Sequence, residues 1–257
     1  MINDYHRPKN LSDAATLLER FHDNGFIVGG GSYISTHQPE NGIAIDLQEI
    51  TELKGIKKVQ DRIHIGSLVT LQQMVEYEGI DQELRNAIKY ETGRNIRQAA
   101  TIGGVLVTCD GRSPLAACLL AINVKIKLYS QNTLTELGEW FNVRAEIKHK
   151  VILTDVVMVD EALLKFEYSA RTPKDRPLVF VAAAVWPDGR TRLTLAGYGS
   201  APILVFDGID TSGAAHAAQH AYRDAQDFRA SAAYRSDVAG RLAGRLSKST
   251  NRQSQNG

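Results

Sequence analysis

The spacing of apolar residues at the start of the chain predicts a small unit of mixed helix and strand. Apolar residues recur at helical spacing within residues 10–24. The run Phe26 to Val28 and the alternating segment 43–47 are instead typical of short buried strands. We therefore predict a first α/β unit over residues 1–54.

The pattern that follows predicts a second unit of the same kind. Segment 57–66 has the alternation and the turn residues of a β-hairpin. Helical patterning continues over 71–77 and 82–92, and a proline opens an apolar helix over 115–122, where a first-turn proline sacrifices no hydrogen bond. We predict that this unit extends over residues 55–158.

The last third of the chain has the pattern of an antiparallel meander followed by helices. The turn sequence Pro187-Asp188-Gly189-Arg190 separates two apolar strands, as in a β-hairpin. We predict a C-terminal domain over 159–246 with a three-stranded antiparallel sheet and two helices. Residues 247–257 contain no apolar residue and are predicted to be a disordered tail. The fold class predicted for the whole chain is α+β.

Composition narrows the range of partners. The 257 residues are 43% hydrophobic and 23% charged, with a formal net charge of +1, so no broad field favours nucleic acid or anionic lipid. No apolar run approaches the roughly 18 residues of a membrane span, and the N-terminus lacks the regions of a signal peptide. Cys109 and Cys118 have no metal-binding spacing. We expect a cytoplasmic protein with no membrane span, no nucleic-acid partner and no metal site of its own.

Two glycine-rich segments carry the candidate chemistry. Val28-Gly29-Gly30-Gly31-Ser32-Tyr33-Ile34 follows a predicted strand, and Thr101-Ile102-Gly103-Gly104 lies about seventy residues further on. Glycine loops can direct backbone N–H groups at an anion, because no Cβ holds the ligand away. Neither segment is a P-loop or a GxGxxG fingerprint. A tight structural turn is the alternative for either segment taken alone.

Five segments, in order, resemble the FAD-binding subunits of molybdenum hydroxylases, such as the medium subunits of carbon monoxide dehydrogenase and bacterial xanthine dehydrogenases. Residues 28–34 resemble the family's Ala-Gly-Gly-Thr-type loop, and 65–71 resemble its Ile-Gly-Ala-x-x-Thr segment. Residues 95–104 match Gln-Ile-Arg-Asn-x-Ala-Thr-Ile-Gly-Gly closely. Residues 115–122 correspond to a Leu-Leu-Ala-Leu helix, and 229–235 to Arg-x-Ser-x-x-Tyr-Arg. The resemblance covers essentially the whole chain.

The resemblance implies that FAD is held by two α/β subdomains, 1–54 and 55–158, of PCMH/VAO-like architecture. It implies diphosphate contacts from backbone amides of both glycine segments. It also implies apolar contacts to the adenine or flavin ring from Ile34, Ile102 and a residue near Ile152 or Leu153, for which ordinary core packing is the alternative. A basic residue of the C-terminal domain would tune the flavin potential, with a solvated side chain as the alternative. The implied cofactor residues are Gly29, Gly30, Gly31, Ser32, Tyr33, Ile34, Thr101, Ile102, Gly103, Gly104, Thr108, Asp110, Leu153 and Lys165.

The sequence also departs from the family pattern directly after the second glycine pair. The family has Asn where this chain has Val105, and its Asp position falls on Pro114. Thr108, Asp110 or Ser113 can replace part of the missing polar contacts. Weaker FAD binding, or loss of FAD, is the consequence if they do not.

By resemblance, the chain is the flavoprotein subunit of a hetero-oligomeric molybdenum hydroxylase. A large subunit would carry molybdopterin and oxidise the substrate, and a small subunit would carry [2Fe-2S] clusters that pass electrons to FAD. NAD or another acceptor would then be reduced, and no substrate-oxidising catalytic residue would lie in this chain. One alternative is a flavin-free scaffold that bridges partner subunits. Another is a free-standing FAD oxidase, which needs a substrate cavity and a base that the sequence does not identify.

Overall fold

A computed structural model describes residues 2–35, 37, 42–129, 133–148, 150–159 and 161–254, with side chains to 248. The helices are α1 Leu11–Phe21, α2 Leu71–Glu76, α3 Gln82–Glu91, α4 Arg94–Arg97, α5 Ile102–Thr108, α6 Pro114–Ala121, α7 Leu137–Ile147, α8 Ala214–Ala221 and α9 Ala232–Ser254. The strands are β1 Ile2–His6, β2 Gly25–Val28, β3 Gly42–Asp46, β4 Ile56–Val59, β5 Arg62–Gly66, β6 Lys125–Leu128, β7 Leu134–Glu136, β8 Leu153–Val159, β9 Leu163–Ser169, β10 Val179–Val185, β11 Thr191–Ala196 and β12 Ile203–Gly208.

The chain divides into two compact units that interleave along the sequence. The first unit comprises residues 1–80, 92–108 and 124–158, and the second comprises 81–91, 109–123 and 159–257. Helices α3 and α6, which we predicted within the 55–158 subdomain, belong to the second unit. The boundary between residues 54 and 55 stays a prediction.

The first unit contains two sheets. Strands β1, β3 and β2 form a parallel sheet in that order, and β4, β5, β8, β6 and β7 form a five-stranded sheet. Asn10 is the N-cap of helix α1, and its side chain accepts a hydrogen bond from the Asp13 backbone N–H at 2.8 Å. Its buried residues Ala14 and Leu18 pack in one apolar cluster with Ile45 of β3. This packing follows from the helical apolar stripe.

The second unit is built on an antiparallel sheet with the order β12, β11, β10 and β9. Alanines of α8 and α9, among them Ala218 and Ala239, pack with Val181 and Leu193 in one buried cluster. Small side chains let the two helices lie close to the sheet. Helix α6 begins with Pro114 and is buried along its whole length.

The α+β fold with a C-terminal antiparallel sheet is confirmed, with three corrections to the elements. The C-terminal sheet has four strands rather than three, because β12 adds an edge strand with a half-exposed pattern that gives weak alternation. Helix α9 continues to Ser254, into the segment predicted to be a disordered tail. The second glycine pair lies in the first turn of α5 and not in a loop. None of the helices in the described ranges has both the length and the apolar character needed to cross a membrane.

Candidate functional site

The first glycine segment leaves the parallel sheet beside a 3-10 turn that fixes it. Strands β2 and β3 are parallel, and Val28 lies opposite Asp46. Both strands therefore end at the same edge of the sheet. The Asp46 carboxylate accepts a hydrogen bond from the Gln48 backbone N–H at 2.8 Å and caps that turn. The Gln48 side-chain amide then donates to the Gly29 carbonyl oxygen at 2.7 Å. The path of the glycine segment is thus set by the strand beside it.

Asp46 also has charged and phenolic neighbours. The Tyr5 hydroxyl donates to the Asp46 carboxylate, and the Arg7 guanidinium lies 3.5 Å from it. The hydrogen bond to Asp46, helped by desolvation, raises the pKa of Tyr5 above its ordinary value. The capping carboxylate is therefore held by several groups, and it keeps the turn in place.

The two glycine segments meet each other directly. A Cβ on Gly30 would lie 1.5 Å from the Ala99 carbonyl oxygen, so only glycine permits this approach of the two backbones. A Cβ on Gly29 would lie 2.9 Å from Thr101 Oγ1. Gly31 has φ of +72°, a conformation that favours glycine. The structural interpretation therefore accounts for Gly30 and Gly31, since one allows close backbone approach and the other makes the turn, and the anion contact of this segment stays a prediction.

The amides of the second segment already have partners within the first unit. The N–H of Ile102 donates to the Val69 carbonyl at 2.9 Å, and the N–H of Gly103 donates to the Ser67 carbonyl at 3.0 Å. The N–H of Gly104 donates to Thr101 Oγ1 at 3.1 Å. These three amides serve to dock α5 rather than to face open space. The diphosphate contacts predicted from this segment stay a prediction, and these three amides have partners within the protein.

A cavity of about 240 Å³ opens where the two glycine segments meet. Most of its wall is apolar, with hydroxyl groups and one lysine among the lining side chains. The residues that line it are Phe26, Ile27, Gly29, Tyr33, Ile34, His37, Leu47, Ser67, Leu68, Thr101, Gly103, Gly104, Val107, Thr108, Lys148, Val151, Ile152 and Leu153. All of them belong to the first unit.

Eight of the predicted cofactor residues line this cavity: Gly29, Tyr33, Ile34, Thr101, Gly103, Gly104, Thr108 and Leu153. Gly30, Gly31 and Ser32 lie in the same glycine segment but not on the wall. The Ile102 side chain is fully buried, as the core-packing alternative proposed. Residues near 30, 101 and 153, which are far apart in the sequence, thus line one cavity, and the sequence analysis had selected residues in all three places.

Asp110 and Lys165 are not among the lining residues and belong to the second unit. Asp110 accepts from the Arg112 N–H and pairs with Arg176 at 3.2 Å. Ser113 donates to the buried Glu91 carboxylate at 2.7 Å, so its hydroxyl serves the fold of the second unit. Of the three proposed substitutes for the family's polar residues, only Thr108 lies on the cavity wall.

Several lining residues were not predicted from the sequence, and three of them are polar: His37, Ser67 and Lys148. Lys148 lies just beyond the end of α7 and contributes the positive charge on the wall. Ser67 follows β5 and is almost fully buried at 4% exposure. Neither Lys148 nor Ser67 stands in a glycine motif, and their place on the wall depends on how α7 and β5 pack. The sequence signal for Ser67 was its position in the Ile-Gly-Ala-like segment.

Helix α7 holds the C-terminal end of α5. The Leu106 carbonyl accepts from Trp140 Nε1 at 3.0 Å and from Arg144 Nη1 at 3.1 Å. A cation at the C-terminal end of a helix is electrostatically favourable. Because Thr108 lies in the same last turn, this contact fixes one wall of the cavity.

Comparison with known proteins identifies the family of the chain. Residues 1–158 match the model of the FAD binding domain in molybdopterin dehydrogenase, and the chain therefore belongs to that family. It is similar to the uncharacterized protein YgfM of Escherichia coli K12, with 24% identity over 96% of this chain and 95% of that one. It is also 27% identical to the nicotinate dehydrogenase FAD-subunit of Eubacterium barkeri over 60% of this chain and 57% of that one. The structure of quinoline 2-oxidoreductase from Pseudomonas putida 86 has the same fold, with a TM-score of 0.81, 17% identity and coverage of 98% and 97%.

The family assignment confirms the predicted flavoprotein resemblance and the FAD-binding domain. By family, the chain is an oxidoreductase component. The cavity also suits part of an FAD molecule. Its apolar wall can pack against a heteroaromatic ring, and its hydroxyl groups and lysine can bind polar and anionic atoms. Its volume is below the roughly 300–1,000 Å³ of whole-ligand pockets, so it can hold one portion of an extended dinucleotide.

Proposed function

We propose that this chain binds FAD in its first unit and serves as the electron-transfer subunit of a multi-subunit molybdenum hydroxylase. The observation that carries the proposal is the cavity at the meeting point of the two glycine segments. Thr101 and Lys148 would bind the diphosphate there. The apolar wall formed by Ile34, Ile152 and Leu153 would pack against an adenine or flavin ring. FAD, when bound, supplies the capacity to accept and release electrons.

The protein's own part is to bind and orient. The glycine segment brings backbone close to the diphosphate, and the Gln48 contact keeps that segment from relaxing. The apolar wall excludes water from the ring. We assign no proton transfer and no substrate oxidation to residues of this chain.

The partners follow from what the chain lacks in its sequence. A [2Fe-2S] cluster needs four ligands, usually cysteine thiolates, and this chain has two cysteines. Any cluster that passes electrons to FAD would therefore lie on another chain, and a molybdopterin centre on a further one. The relative from Eubacterium barkeri is named as an FAD subunit, which supports a multi-subunit arrangement. NAD as the final acceptor and a cytoplasmic location belong to the same proposal.

The flavin-free scaffold remains the second candidate because of two observations. The amides of Ile102, Gly103 and Gly104 are occupied by internal hydrogen bonds. Val105, at the family's Asn position, is half-buried and does not line the cavity. A scaffold would keep the docked helix α5 without needing a cofactor.

One experiment separates the two functions. The full chain is purified alone and with co-purifying partners, and visible absorption is recorded before and after adding FAD and removing the excess. Flavin bands that persist, together with molybdenum and iron in the co-purified complex, are the expected result. Absence of flavin from both the lone chain and the complex would overturn FAD binding and favour the scaffold. Flavin in a chain that co-purifies with neither metal would overturn the molybdenum-hydroxylase part alone.

A further inference from the structure

Ser67 is a buried polar residue on the cavity wall, and its side chain has no hydrogen-bond partner among the residues that the structure describes. Its backbone is fully used, because its N–H donates to the Thr154 carbonyl at 2.9 Å and its carbonyl accepts from the Gly103 N–H at 3.0 Å. Its side-chain Oγ is buried and makes no hydrogen bond to any residue in the described part of the chain. A hydroxyl in such a place destabilises the protein unless something else bonds to it.

The other hydroxyls near Ser67 differ from it. Thr101 Oγ1 accepts from the Gly104 N–H at 3.1 Å, and Thr108 Oγ1 donates to the Gly104 carbonyl at 2.8 Å. Both threonines therefore contribute to holding α5, whereas the Ser67 hydroxyl makes no such hydrogen bond to a described residue. An alanine would fill almost the same space without a buried polar atom. A buried polar group that the fold does not use points to a ligand.

We propose that Ser67 is a recognition residue that hydrogen-bonds a neutral polar atom of the dinucleotide held in the cavity. The proposal rests on the proposed FAD-binding function. It adds the Ser67 hydroxyl as the group that hydrogen-bonds the non-phosphate part of the ligand. A serine hydroxyl can donate and accept, and because the Ser67 Oγ is itself buried, a rotation about its Cα–Cβ bond would turn it toward a bound ligand. It therefore suits a ring nitrogen, a ring carbonyl or a sugar hydroxyl.

The surroundings of Ser67 favour a neutral atom over a phosphate. Leu68 is its neighbour on the wall, and Ile152 and Leu153 lie on the same wall. A phosphate placed directly against these buried apolar side chains would lose its water, whereas the Lys148 ammonium and the Thr101 hydroxyl elsewhere in the lining suit the diphosphate. A heterocycle or its sugar brings apolar surface for the wall and one polar atom for the hydroxyl.

The test is the variant Ser67→Ala, with Ser12→Ala on the exposed side of α1 as the matched control. Dissociation constants for FAD, ADP and FMN are measured by titration, and the melting temperature is measured without ligand. We expect Ser67→Ala to weaken FAD binding about fivefold, which is the size of one net hydrogen bond. Weaker ADP binding assigns the contact to the adenosine half, and weaker FMN binding assigns it to the flavin half; either result supports the proposal.

The ligand-free melting temperature gives a second, independent readout. Removing an unpartnered buried hydroxyl should leave the melting temperature unchanged or raise it, whereas Ser12→Ala should change neither binding nor melting. An unaltered FAD dissociation constant in Ser67→Ala would overturn the proposal while FAD binding by the chain stands. A melting temperature well below that of the wild type, or failure to fold, would also overturn it, because the hydroxyl would then have a structural partner. A wild-type chain that binds no FAD would overturn the proposed function, and this proposal with it.

Discussion

The Gln48 side chain holds the first glycine segment through one hydrogen bond, from its Nε2 to the Gly29 carbonyl oxygen at 2.7 Å. Gln48 is itself placed by the Asp46 carboxylate, which caps the turn directly after β3. The backbone at Gly29, which has no side chain of its own, is thus held by a side chain that follows the adjacent strand. This relationship lies beside the cavity and has a direct consequence for binding.

Replacing Gln48 by Ala should loosen the glycine segment and weaken FAD binding. Loss of this hydrogen bond should lower the free energy of unfolding by about 1 kcal/mol and raise the FAD dissociation constant several-fold. Urea denaturation and flavin fluorescence titration measure the two effects. Gln82→Ala, on helix α3 of the second unit, is the control and should not change FAD affinity. Equal FAD affinity in both variants would show that the Gln48 contact does not shape the site.

Gly31 and Gly55 offer a matched pair for separating backbone strain from cofactor binding. Both have positive φ, +72° and +96°, and a Cβ at either position would meet no atom of a described residue within 4 Å. Each Gly→Ala change should therefore cost about 1–2 kcal/mol of stability through backbone strain alone. Only Gly31→Ala should also weaken FAD binding, because only Gly31 belongs to the segment at the cavity. Equal retention of FAD by the two variants would contradict a role for this segment in the site.

Lys148 should contribute electrostatic attraction to the FAD diphosphate. Lys148→Ala should raise the FAD dissociation constant about two- to fivefold at low ionic strength, since partly exposed charge pairs are worth roughly 0.2–1 kcal/mol. The difference should shrink in 1 M salt, where the Debye length falls to about 3 Å. Lys150→Ala is the control because Lys150 is exposed and does not line the cavity. A salt-independent loss of affinity would instead indicate that the Lys148 aliphatic chain supports packing.

Stability of the second unit should fall at high pH through Tyr90. Its hydroxyl donates to the Asp175 carbonyl at 2.7 Å, and burial, with smaller contributions from Tyr168 and Asp175, raises the pKa of Tyr90 to about 12 from 10.0. A raised tyrosine pKa means that the folded state favours the protonated phenol. The contribution is therefore complete below pH 10 and is lost as pH rises from 10 to 12.

The variant Tyr90→Phe tests this pH dependence. Its urea midpoint should lie below that of the wild type at pH 8, and the two midpoints should converge between pH 10 and 12. Absorbance titration of the phenols follows the ionisation directly. Parallel curves for the two proteins across this range would show that Tyr90 is not the group responsible.

Much of the fold follows from local pattern, as the agreement for α1, α6 and the hairpin β4–β5 shows. The errors have physical causes. Strand β12 has half-exposed residues on both faces, so its alternation is weak. Helix α5 has two glycines in its first turn, and glycine is a poor helix former, but its amides and Trp140 hold it in place through distant residues. Propensity was overridden there by tertiary contacts.

The sequence alone determined the family and the two glycine segments, because these depend on residue types at fixed local spacing. Tertiary structure alone decided how those residues are used. It engaged the amides of Ile102 to Gly104 within the protein and placed Asp110 and Lys165 in the other unit. It also brought Ser67 and Lys148 to the cavity wall. Hydrogen-bond partners and burial arise from contacts between residues far apart in the chain, and local spacing carries no record of them.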